Sequence, residues 1–496
     1  MPVECVSTNG ACAVVERTLG RTLTGLTADS RAVRPGMLFA ALPGAKADGC
    51  GFIADAIARG AVAVLAPTGT RLPAVTLPAV MLIEHDQPRL RFAQLAAAFY
   101  GRQPRCVVAV TGTNGKTSTV HFARQLWAAL GYQAAALGTL GLTAPGLDRS
   151  GAMTTPDPVS LHADLACLAE AGFDHLALEA SSHGLDQYRL DGVTLAAGGF
   201  TNLTRDHLDY HGDMAAYFQA KAALFERVLP AGAAAVLNAD SPEFEPLAMI
   251  AARRGQRVIG YGFAGRELRV VAVEPLAHGQ RLALALFGRR VAVDLPLVGR
   301  FQAWNALCAL GLVLGAGDGV AGDGVDVDAV LAALASLEGV PGRMQLAARH
   351  GNGAPVLVDY AHTPDALETV LTALRPHAVR GRLVVVFGCG GDRDRGKRPV
   401  MGAIAARLAD RVFVTDDNPR GEVPAAIRAE VLAGCPQAEE IGDRAAAIRV
   451  AVAGLGVGDV LLIAGKGHEQ GQTIGAEVRP FDDVTEARAA AAECQS

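Results

Sequence analysis

The segment Thr111–Ser118 reads TGTNGKTS; it follows the apolar run 106–110 and precedes a stretch with helical periodicity. A short strand, a glycine-rich turn and a helix that begins with Lys-Thr form the arrangement in which backbone N–H groups bind nucleotide phosphates. Lys116 adds a cation, and Thr117 places a hydroxyl where it can ligate a Mg²⁺ bound to those phosphates. The strict motif has glycine at position 110, where this chain has valine. The segment therefore predicts a site for ATP or GTP.

The composition is that of a folded protein with several cores. The chain has 496 residues, 50% hydrophobic and 19% charged, which predicts three domains of about 150 residues each. A net charge of −5 without a dense Lys/Arg run gives no indication of nucleic-acid binding. Nine cysteines are scattered without a CxxC pair, which is typical of free thiols in a reducing cytosol. With neither a signal peptide nor a membrane-spanning apolar run evident, a cytoplasmic protein is predicted.

The order of elements along the chain predicts α/β architecture. Short apolar runs alternate with Ala/Leu-rich helical stretches, which indicates largely parallel sheets. A helix over 90–100 ends the first series, and a boundary is expected near residue 104. A second boundary is expected at 339–342, after a helix around 327–337. The Gly/Asp-rich stretch 315–328 is interpreted as a surface loop. The predicted domains are 1–104, 105–339 and 340–496.

Two further segments place ionisable side chains after apolar strands. Residues 176–179 read as a buried strand that ends in Glu179. Ligands of open α/β sheets bind outside the carboxyl ends of strands, so Glu179 is a candidate metal ligand, although a solvent-exposed carboxylate is equally compatible. In the polar segment 200–211, His207 has two aspartates and another histidine within four positions, which favours a metal or phosphate role.

Lys221 lies on an apolar helical stripe. That stripe consists of Met214, Tyr217, Phe218, Leu224 and Phe225. A buried, unpaired ammonium is costly, and burial lowers the pKa of a lysine. One interpretation, which the residues alone favour, is a lysine whose stem covers apolar surface while its ammonium reaches solvent. The other is a lysine that must be neutral, for example to take up CO₂ and become a carbamate ligand for Mg²⁺.

Ten ordered motifs, taken together, resemble the Mur ligase family, which builds the peptide stem of bacterial peptidoglycan. They are Asp29-Ser-Arg31 with 36–39, TGTNGKTS, Thr154-Thr-Pro156, 179–184, 201–211, Gly342-Arg-Met344, 358–365, 388–394, Asp417-Asn-Pro-Arg420 and 465–469. The resemblance covers all three predicted domains and is closest to the members that add meso-diaminopimelate. One departure is visible: the family's Gly-x-Phe-Asn segment reads Gly299-Arg-Phe-Gln302 here, while Asn305 is retained.

The resemblance implies a role for each motif. The implied ATP contacts are Gly112, Thr113, Asn114, Gly115, Lys116, Thr117, Ser118, Asn305, Arg343, Asp359 and His362. The implied ligands of two Mg²⁺ ions are Thr117, Glu179, His207 and a carbamylated Lys221. The resemblance thus reverses the first interpretation of Lys221. The implied catalytic residues are Lys116, Glu179, His207 and Lys221. The uridine end of the substrate is implied to contact Ala28, Ser30, Ala45, Lys46 and Ala47, and the sugar-peptide end Thr154, Thr155, Ser181, Gln187 and Arg189. The implied diaminopimelate contacts are Arg393, Asp417, Asn418, Pro419, Arg420, Gly465 and Glu469.

The resemblance also implies a fold and a reaction. The fold is an N-terminal α/β domain for the uridine nucleotide, a central P-loop ATPase-like domain with a parallel sheet, and a C-terminal Rossmann-like domain for the amino acid. The reaction is ADP-forming ligation of meso-diaminopimelate to the D-Glu side-chain carboxylate of UDP-MurNAc-L-Ala-D-Glu, through an acyl phosphate. This is a step of peptidoglycan biosynthesis, on which cell shape and division depend. The implied partners are these small molecules and ATP, and a monomer is expected.

Three alternatives stay open at this point. A ligase of the same family could add L-lysine, although Arg420 is suited to the extra carboxylate of diaminopimelate and Glu469 to its distal ammonium. A folylpolyglutamate synthase shares the P-loop and a modified lysine, but should lack the Asp29-Ser-Arg31 domain and the Asp417–Arg420 turn. A catalytically silent ATP-dependent binding protein should have lost at least one of the four implied catalytic residues, and all four are present.

Overall fold

The structure is a computed structural model of the chain. It describes residues 22–44, 48–73, 80–151, 153–276, 279–317, 326–378 and 380–494. Its internal contacts divide the chain into two compact units, residues 1–261 with 308–326 and residues 262–307 with 327–496. The predicted contacts Ala45, Lys46 and Ala47 lie outside the described residues, as do residues 318–325 of the predicted loop.

The first unit begins with a parallel sheet of four short strands in the order β1-β2-β3-β4. The strands are Gly25–Thr27 (β1), Met37–Ala40 (β2), Ala63–Ala66 (β3) and Met81–Glu84 (β4), with the helices Ile53–Ala58 (α1) and Pro88–Tyr100 (α2) and the 3₁₀ turns Ser30–Ala32 and Gly49–Phe52. Leu38, Leu65 and Phe92 are buried in its core. Helix α2 begins at a proline and ends at Gly101 in the left-handed conformation, both ordinary helix boundaries.

The central sheet of the first unit contains strands in the order β11-β10-β9-β5-β8-β6-β7. They are Cys106–Thr111 (β5), Ala134–Gly138 (β6), Gly141–Thr143 (β7), His175–Glu179 (β8), Ala197–Phe200 (β9), Ala234–Asn238 (β10) and Arg257–Gly262 (β11). All neighbouring pairs are parallel except β6 with β7. Strands β5 and β8 are buried along their whole length, as expected of parallel strands covered on both faces.

The helices of this part connect the parallel strands. They are Lys116–Ala129 (α3), Pro158–Glu170 (α4), Ser182–Asp186 (α5), Leu208–His211 (α6), Met214–Ala223 (α7) and Phe244–Arg253 (α8), and α7 continues into the π-helical turn Leu224–Val228. From β5 the chain proceeds to β6, β7 and β8 on one side and then to β9, β10 and β11 on the other. The end of β5 is therefore a topological switch point, where α/β sheets bind ligands, and TGTNGKTS begins there.

The second unit begins with an antiparallel meander. The sequence analysis predicted largely parallel sheets and missed this meander. Its strands are Leu268–Leu276 (β12), Gly279–Leu286 (β13) and Arg289–Leu295 (β14). Leu282, Leu284 and Leu286 are buried on alternate positions, while Arg281 is exposed. This period of two is typical of an antiparallel sheet with one solvated face. The helices Arg300–Ala316 (α9) and Val327–Leu334 (α10) follow, so both ends of the predicted loop 315–328 are helical and α10 ends earlier than predicted.

The rest of the second unit is a sheet in the order β15-β16-β20-β17-β18-β19. Its strands are Gln345–Arg349 (β15), Pro355–Asp359 (β16), Leu383–Phe387 (β17), Arg411–Val414 (β18), Glu439–Glu440 (β19) and Val460–Ala464 (β20), followed by the hairpin Gly471–Ile474 (β21) and Glu477–Pro480 (β22). Its helices are Pro364–Leu374 (α11), Lys397–Leu408 (α12), Pro424–Leu432 (α13), Arg444–Ala453 (α14) and Asp483–Glu493 (α15), with the 3₁₀ turn Arg375–His377. All neighbouring strands are parallel except β15 with β16, so the α/β prediction is confirmed. Across the ranges that the structure describes, no helix is long and apolar enough to span a membrane.

Candidate active site

The phosphate-binding loop between β5 and α3 is fixed by the segment that follows β9. Gly112 has a φ of +144°, and a Cβ at this position would lie 1.9 Å from Thr201 Oγ1, so only glycine fits. The Thr201 hydroxyl donates to Asn114 O at 2.6 Å, and the Asn114 N–H donates to Asn202 Oδ1 at 2.9 Å. Gly115, with a φ of +87°, precedes the first residue of α3. The loop thus has the strand–turn–helix form that the sequence predicts.

Two lysines converge on one carbonyl of this loop. Gly112 O accepts hydrogen bonds from Lys116 Nζ at 2.9 Å and from Lys221 Nζ at 2.7 Å. Lys221 is only 1% exposed, and its Nζ lies 4.3 Å from the centre of the Tyr217 ring. Burial, and secondly the like charge of Lys116, lowers the pKa of Lys221 well below its usual value. The interpretation of Lys221 as a lysine that reaches solvent is therefore wrong, and the neutral amine is favoured at this position.

The buried apolar stripe around Lys221 is shorter along the helix than the sequence predicts. Tyr217, Leu224 and Phe225 are buried, but Met214 is 36% exposed. Met214 is the first residue of α7, directly after Asp213, whose carboxylate caps the helix by accepting the N–H of Ala216 at 2.8 Å. The buried face therefore begins one turn later, at Tyr217.

Glu179 is enclosed at the carboxyl end of β8. It is 1% exposed, so the alternative of a solvent-exposed carboxylate is wrong. Its Oε1 accepts the N–H of Thr139 at 2.8 Å, and its Oε2 accepts the Thr139 hydroxyl at 3.2 Å. A Cβ at Gly138 would lie 2.1 Å from Oε1, so the absence of a side chain there makes room for the carboxylate. Glu179 is thus held at the end of the strand next to β5.

The predicted sugar-peptide contacts form one network with Glu179. The Thr155 hydroxyl donates to Glu179 O at 2.7 Å and accepts the N–H of Ser181 at 2.9 Å. Arg189 donates to Thr155 O at 2.5 Å and to Gln187 Oε1 at 2.8 Å. Thr154 joins through its hydroxyl, which lies 3.1 Å from that of Thr139. The structure therefore brings all five predicted residues together.

A cavity of about 490 Å³ in the first unit joins both predicted halves of the substrate site. Its walls include Ala28 from the predicted uridine end and Gln187 and Arg189 from the predicted sugar-peptide end. Ser30 is buried in the turn after Asp29 and does not contribute to this lining. Arg89 also lines the cavity and was missed by the sequence analysis, because a single arginine near the start of α2 carries no motif. With Arg189 it supplies two guanidinium groups suited to an anionic ligand.

The polar segment 200–211 places His207 at the surface. His207 has a left-handed backbone, with a φ of +53°, and its side chain is 48% exposed with Nε2 3.5 Å from Asp206 Oδ2. The His183 ring stands edge-on to it, with ring centres 5.0 Å apart. His211 instead packs against Tyr217, with ring centres 5.2 Å apart.

Within the described residues, no three His, Cys, Asp or Glu side chains form a group that could hold a metal ion. Asp209 is exposed, and His211 Nε2 is buried without a hydrogen-bond partner among the described residues. The implied role of His207 as a metal ligand stays a prediction.

Gln302, the departure from the family pattern, lies in the second unit within a network of predicted nucleotide contacts. It is 1% exposed; its Oε1 accepts Asn305 Nδ2 at 2.9 Å, and its Nε2 donates to Arg343 O at 3.3 Å. Gln302 thus connects Asn305 to the backbone of Arg343, so the glutamine that departs from the family pattern has a structural role.

Asp359, at the end of β16, is held by backbone donors. Its Oδ2 accepts the N–H of Met344 at 2.7 Å, and its Oδ1 accepts the N–H of Ala361 at 2.8 Å. Burial raises the pKa of Asp359 to about 6. The neighbouring Tyr360 ring lies 4.6 Å from the Arg343 guanidinium, and Tyr360 O lies 2.8 Å from His362 Nδ1. Arg343, Asp359 and His362 are therefore adjacent.

The predicted diaminopimelate contacts gather where three loops of the second unit meet. Asn418 Nδ2 donates to Glu469 Oε2 at 2.8 Å, and a Cβ on Gly465 would lie 2.6 Å from Asp417 Oδ2. Arg420 has a left-handed backbone, with a φ of +50°, and its Nη1 donates to Gly391 O at 2.9 Å. Its N–H also donates to Thr473 O at 3.0 Å, which ties the turn to strand β21.

Two features of this region differ from the sequence analysis. Arg393 is exposed and makes no hydrogen bond or ion pair within the described residues, so it is not drawn into the cluster. The hairpin β21–β22, whose strands are short, was missed. It contacts the Asp417–Arg420 turn through Thr473, through Gln472, which donates to Asp417 O at 2.8 Å, and through Gly475, whose N–H donates to Arg420 O at 2.7 Å.

Three family models match separate parts of the chain. The models of the Mur ligase family catalytic domain, the Mur ligase middle domain and the Mur ligase glutamate ligase domain match residues 22–100, 110–313 and 342–467. The chain belongs to the Mur ligase family. The predicted resemblance is confirmed, and so is the prediction of an ATP-dependent ligase.

Individual relatives and solved structures agree with this assignment. The UDP-N-acetylmuramoyl-L-alanyl-D-glutamate–2,6-diaminopimelate ligase of Mesorhizobium japonicum is 53% identical over 471 residues, 95% of each chain. A solved structure of a ligase with the same name is 35% identical, with a TM-score of 0.70 over 95% of each chain. A folylpolyglutamate synthase of Mycobacterium tuberculosis, solved with ADP and AMPPCP, shares the fold at 22% identity, with a TM-score of 0.62 over 82% of this chain and 94% of that one.

Proposed function

We propose that this Mur ligase joins meso-diaminopimelate to the D-Glu side-chain carboxylate of UDP-MurNAc-L-Ala-D-Glu at the expense of ATP, in the cytoplasm. The observation that carries the proposal is the pairing of Asn418 with Glu469, next to the turn whose Arg420 donates to Gly391 O. The full-length similarity to ligases named for 2,6-diaminopimelate supports the same substrate. An L-lysine-adding enzyme is the second candidate, because lysine offers the same distal ammonium to Glu469.

The proposed chemistry has two steps. A carboxylate is a poor acyl donor, so the γ-phosphoryl group of ATP is first transferred to the D-Glu side chain, which releases ADP and leaves an acyl phosphate. The amine of diaminopimelate then attacks the acyl carbon, and the C–O bond to phosphate breaks. Catalysis of this kind consists of positioning and of stabilising moving charge, so no Ser or Cys nucleophile is required. In this proposal Lys116 neutralises phosphate charge, and Arg189 with the cavity residues orients the acceptor.

The donor chemistry of the first unit fits two Mg²⁺ ions. Mg²⁺ uses one or two carboxylates together with substrate phosphates and water. We assign Thr117 and Glu179 to one ion, and His207 with a carbamylated Lys221 to the other. When bound, the ions neutralise charge on the transferred phosphoryl group. Asn305, Arg343, Asp359 and His362 are assigned to the base and ribose of ATP.

Carbamylation is supported by the surroundings of Lys221. Its ammonium has Gly112 O as its hydrogen-bond acceptor, the Tyr217 ring nearby, and a second lysine at the same carbonyl. The neutral amine nitrogen attacks the carbon of CO₂ and loses a proton to water, which leaves an N-carboxylate. This change replaces a buried amine beside Lys116 with an anion, and it adds an anionic donor for the ion assigned to His207.

Glu179→Ala is expected to raise the Mg²⁺ concentration required for half-maximal ligation by about tenfold or more, since a charge-assisted contact is lost. Activity titrated with MgCl₂ at saturating ATP measures this. Asp164→Ala is the matched control, because Asp164 is paired with Arg149 in the same unit and has no assigned role. An unchanged Mg²⁺ dependence in Glu179→Ala would count against the metal assignment.

Arg420→Ala is expected to lower kcat/KM for meso-diaminopimelate at least tens-fold, because losing one partner of a buried charge-assisted pair costs roughly 2–5 kcal/mol. L-Lysine lacks the extra carboxylate, so its use should change little and the discrimination between the two should shrink. Arg407→Ala, which breaks an exposed pair with Glu368, serves as the control. If the ratio of the two rates stays at its wild-type value in Arg420→Ala, the substrate assignment to Arg420 is wrong.

A further inference from the structure

Lys466 is a fully buried cation inside the cluster of predicted amino-acid contacts. Its side chain is 0% exposed, and its Nζ donates to Asn418 Oδ1 at 3.0 Å and to Glu469 Oε2 at 3.4 Å. Both partners are among the predicted diaminopimelate contacts, whereas Lys466 lies in the motif 465–469 without a role implied by the resemblance. A buried ammonium is tolerated only where its donors are satisfied, so its placement here depends on these two side chains.

The composition of the chain makes this lysine unusual. Of the 45 basic residues, five are lysine and forty are arginine. Two of the five, Lys116 and Lys221, meet at Gly112 O in the phosphate loop. At a fully buried position lysine provides a compact point charge with rotatable donors, whereas arginine provides a planar fork.

The donors around Asn418 determine how its amide is oriented. Asn418 Oδ1 accepts from Lys466 Nζ and also from the N–H of Thr473 at 2.9 Å, and neither donor can accept a hydrogen bond. The amide nitrogen must therefore point the other way, where it donates to Glu469 Oε2 at 2.8 Å. Lys466 thus acts on Glu469 twice, directly through its charge and indirectly through Asn418.

Glu469 is held mainly through one of its two carboxylate oxygens. Oε2 accepts from both Asn418 Nδ2 and Lys466 Nζ, whereas among the described residues Oε1 accepts only from the Tyr360 hydroxyl, at the long distance of 3.5 Å. Oε1 is therefore the oxygen with remaining capacity to accept from a ligand.

We propose that Lys466 is a positioning residue for the amino-acid substrate: it fixes the rotamer of Glu469, so that Oε1 faces the distal ammonium of the incoming amino acid. The inference rests on the proposed function, in which Glu469 binds that ammonium. It predicts an effect on binding of the amino acid, separate from any effect on ATP, on the muropeptide or on the chemical step.

The test uses the full-length enzyme and four variants: Lys466→Met, which is close in length but uncharged, Glu469→Gln, the double variant, and Arg382→Met. The last is the control, since Arg382 pairs with the buried carboxylate of Asp459 on the same sheet away from the pocket. A panel of meso-diaminopimelate, L-lysine and L-ornithine first defines which amino acid the wild-type enzyme prefers. KM for that amino acid, for ATP and for UDP-MurNAc-L-Ala-D-Glu, together with kcat and Tm, is then measured for each variant.

Lys466→Met is expected to raise KM for the preferred amino acid about 30-fold or more, the size typical of removing one partner of a buried charge pair. KM for the other two substrates and kcat should change little, and Arg382→Met should resemble wild type. In the Glu469→Gln background the same substitution should have a much smaller effect, because coupled residues are not additive.

Three results would overturn the positioning role: an unchanged KM for the amino acid, equal losses for all three substrates with a lowered Tm, or full additivity in the double variant. If the panel gives a preferred amino acid other than meso-diaminopimelate, the proposed substrate is wrong, while the role of Lys466 is still decided by the KM for that amino acid.

Discussion

Lys221→Ala is expected to abolish ligation while the fold stays intact. The substitution removes the amine that is proposed to become an anionic ligand, and with it a buried, unfavourably placed group near Gly112 O. Loss of a charge-stabilising group at a phosphoryl-transfer site costs roughly 100- to 1,000-fold in kcat, and loss of a metal ligand adds to this. Ligation measured as ADP release, with Tm as the check on folding, gives the result.

Chemical rescue separates a missing carbamate from a damaged site. Formate or acetate should restore part of the activity of Lys221→Ala, because a small carboxylate can occupy the space of the lost N-carboxylate. The same acids should not rescue Lys116→Ala, which lacks a cation at the same carbonyl. Wild-type activity in Lys221→Ala without any added acid would contradict the carbamate proposal.

Lys116→Ala is expected to lower kcat by roughly 100- to 1,000-fold, since it removes a cation from the place where phosphoryl charge moves. In the structure Lys116 Nζ donates to Gly112 O at 2.9 Å and to Thr113 O at 2.8 Å, so the ammonium is held at the mouth of the loop. KM for the amino acid should not change, because that pocket lies on other loops.

Steady-state kinetics with each substrate varied in turn measures both quantities for Lys116→Ala. A kcat within a few-fold of wild type would remove Lys116 from the proposed chemistry. An increase confined to KM for the amino acid would assign Lys116 to binding of the amino acid instead of to phosphoryl transfer.

The fold was predictable where the sequence pattern has one structural interpretation. Buried runs such as 106–110 and 383–387 predict parallel strands, and both occur as such. The meander β12–β14 was missed because stretches such as Leu282–Leu286 alternate leucine with alanine, and two apolar residue types give no clear period of two. The helix ends near residues 315 and 327 were missed because Gly and Asp, read as loop formers, occupy the last and first turns of α9 and α10.

The candidate site was predictable to the extent that its residues occur in compact motifs. The phosphate loop and the Asp417–Arg420 turn could be read directly, because each follows a strand and contains turn-forming residues. The burial of individual side chains could not be predicted in the same way. The sequence around Lys221 and Glu179 is compatible with an exposed or a buried side chain, and only the packing of the fold shows that both are buried. Arg89 escaped notice because it lies in no motif. Lys466 lies in the motif 465–469, but its contact with Asn418 joins positions that are distant in sequence.

The most direct test of the account is ligation by the purified wild-type enzyme with ATP, Mg²⁺ and UDP-MurNAc-L-Ala-D-Glu, offered meso-diaminopimelate or L-lysine. Product masses and released ADP are measured together. The account predicts one ADP per product, a product that carries diaminopimelate, no ADP release when either the muropeptide or the amino acid is omitted, and much lower kcat/KM with L-lysine. Equal efficiency with L-lysine, or ADP release that does not depend on the muropeptide, would contradict it.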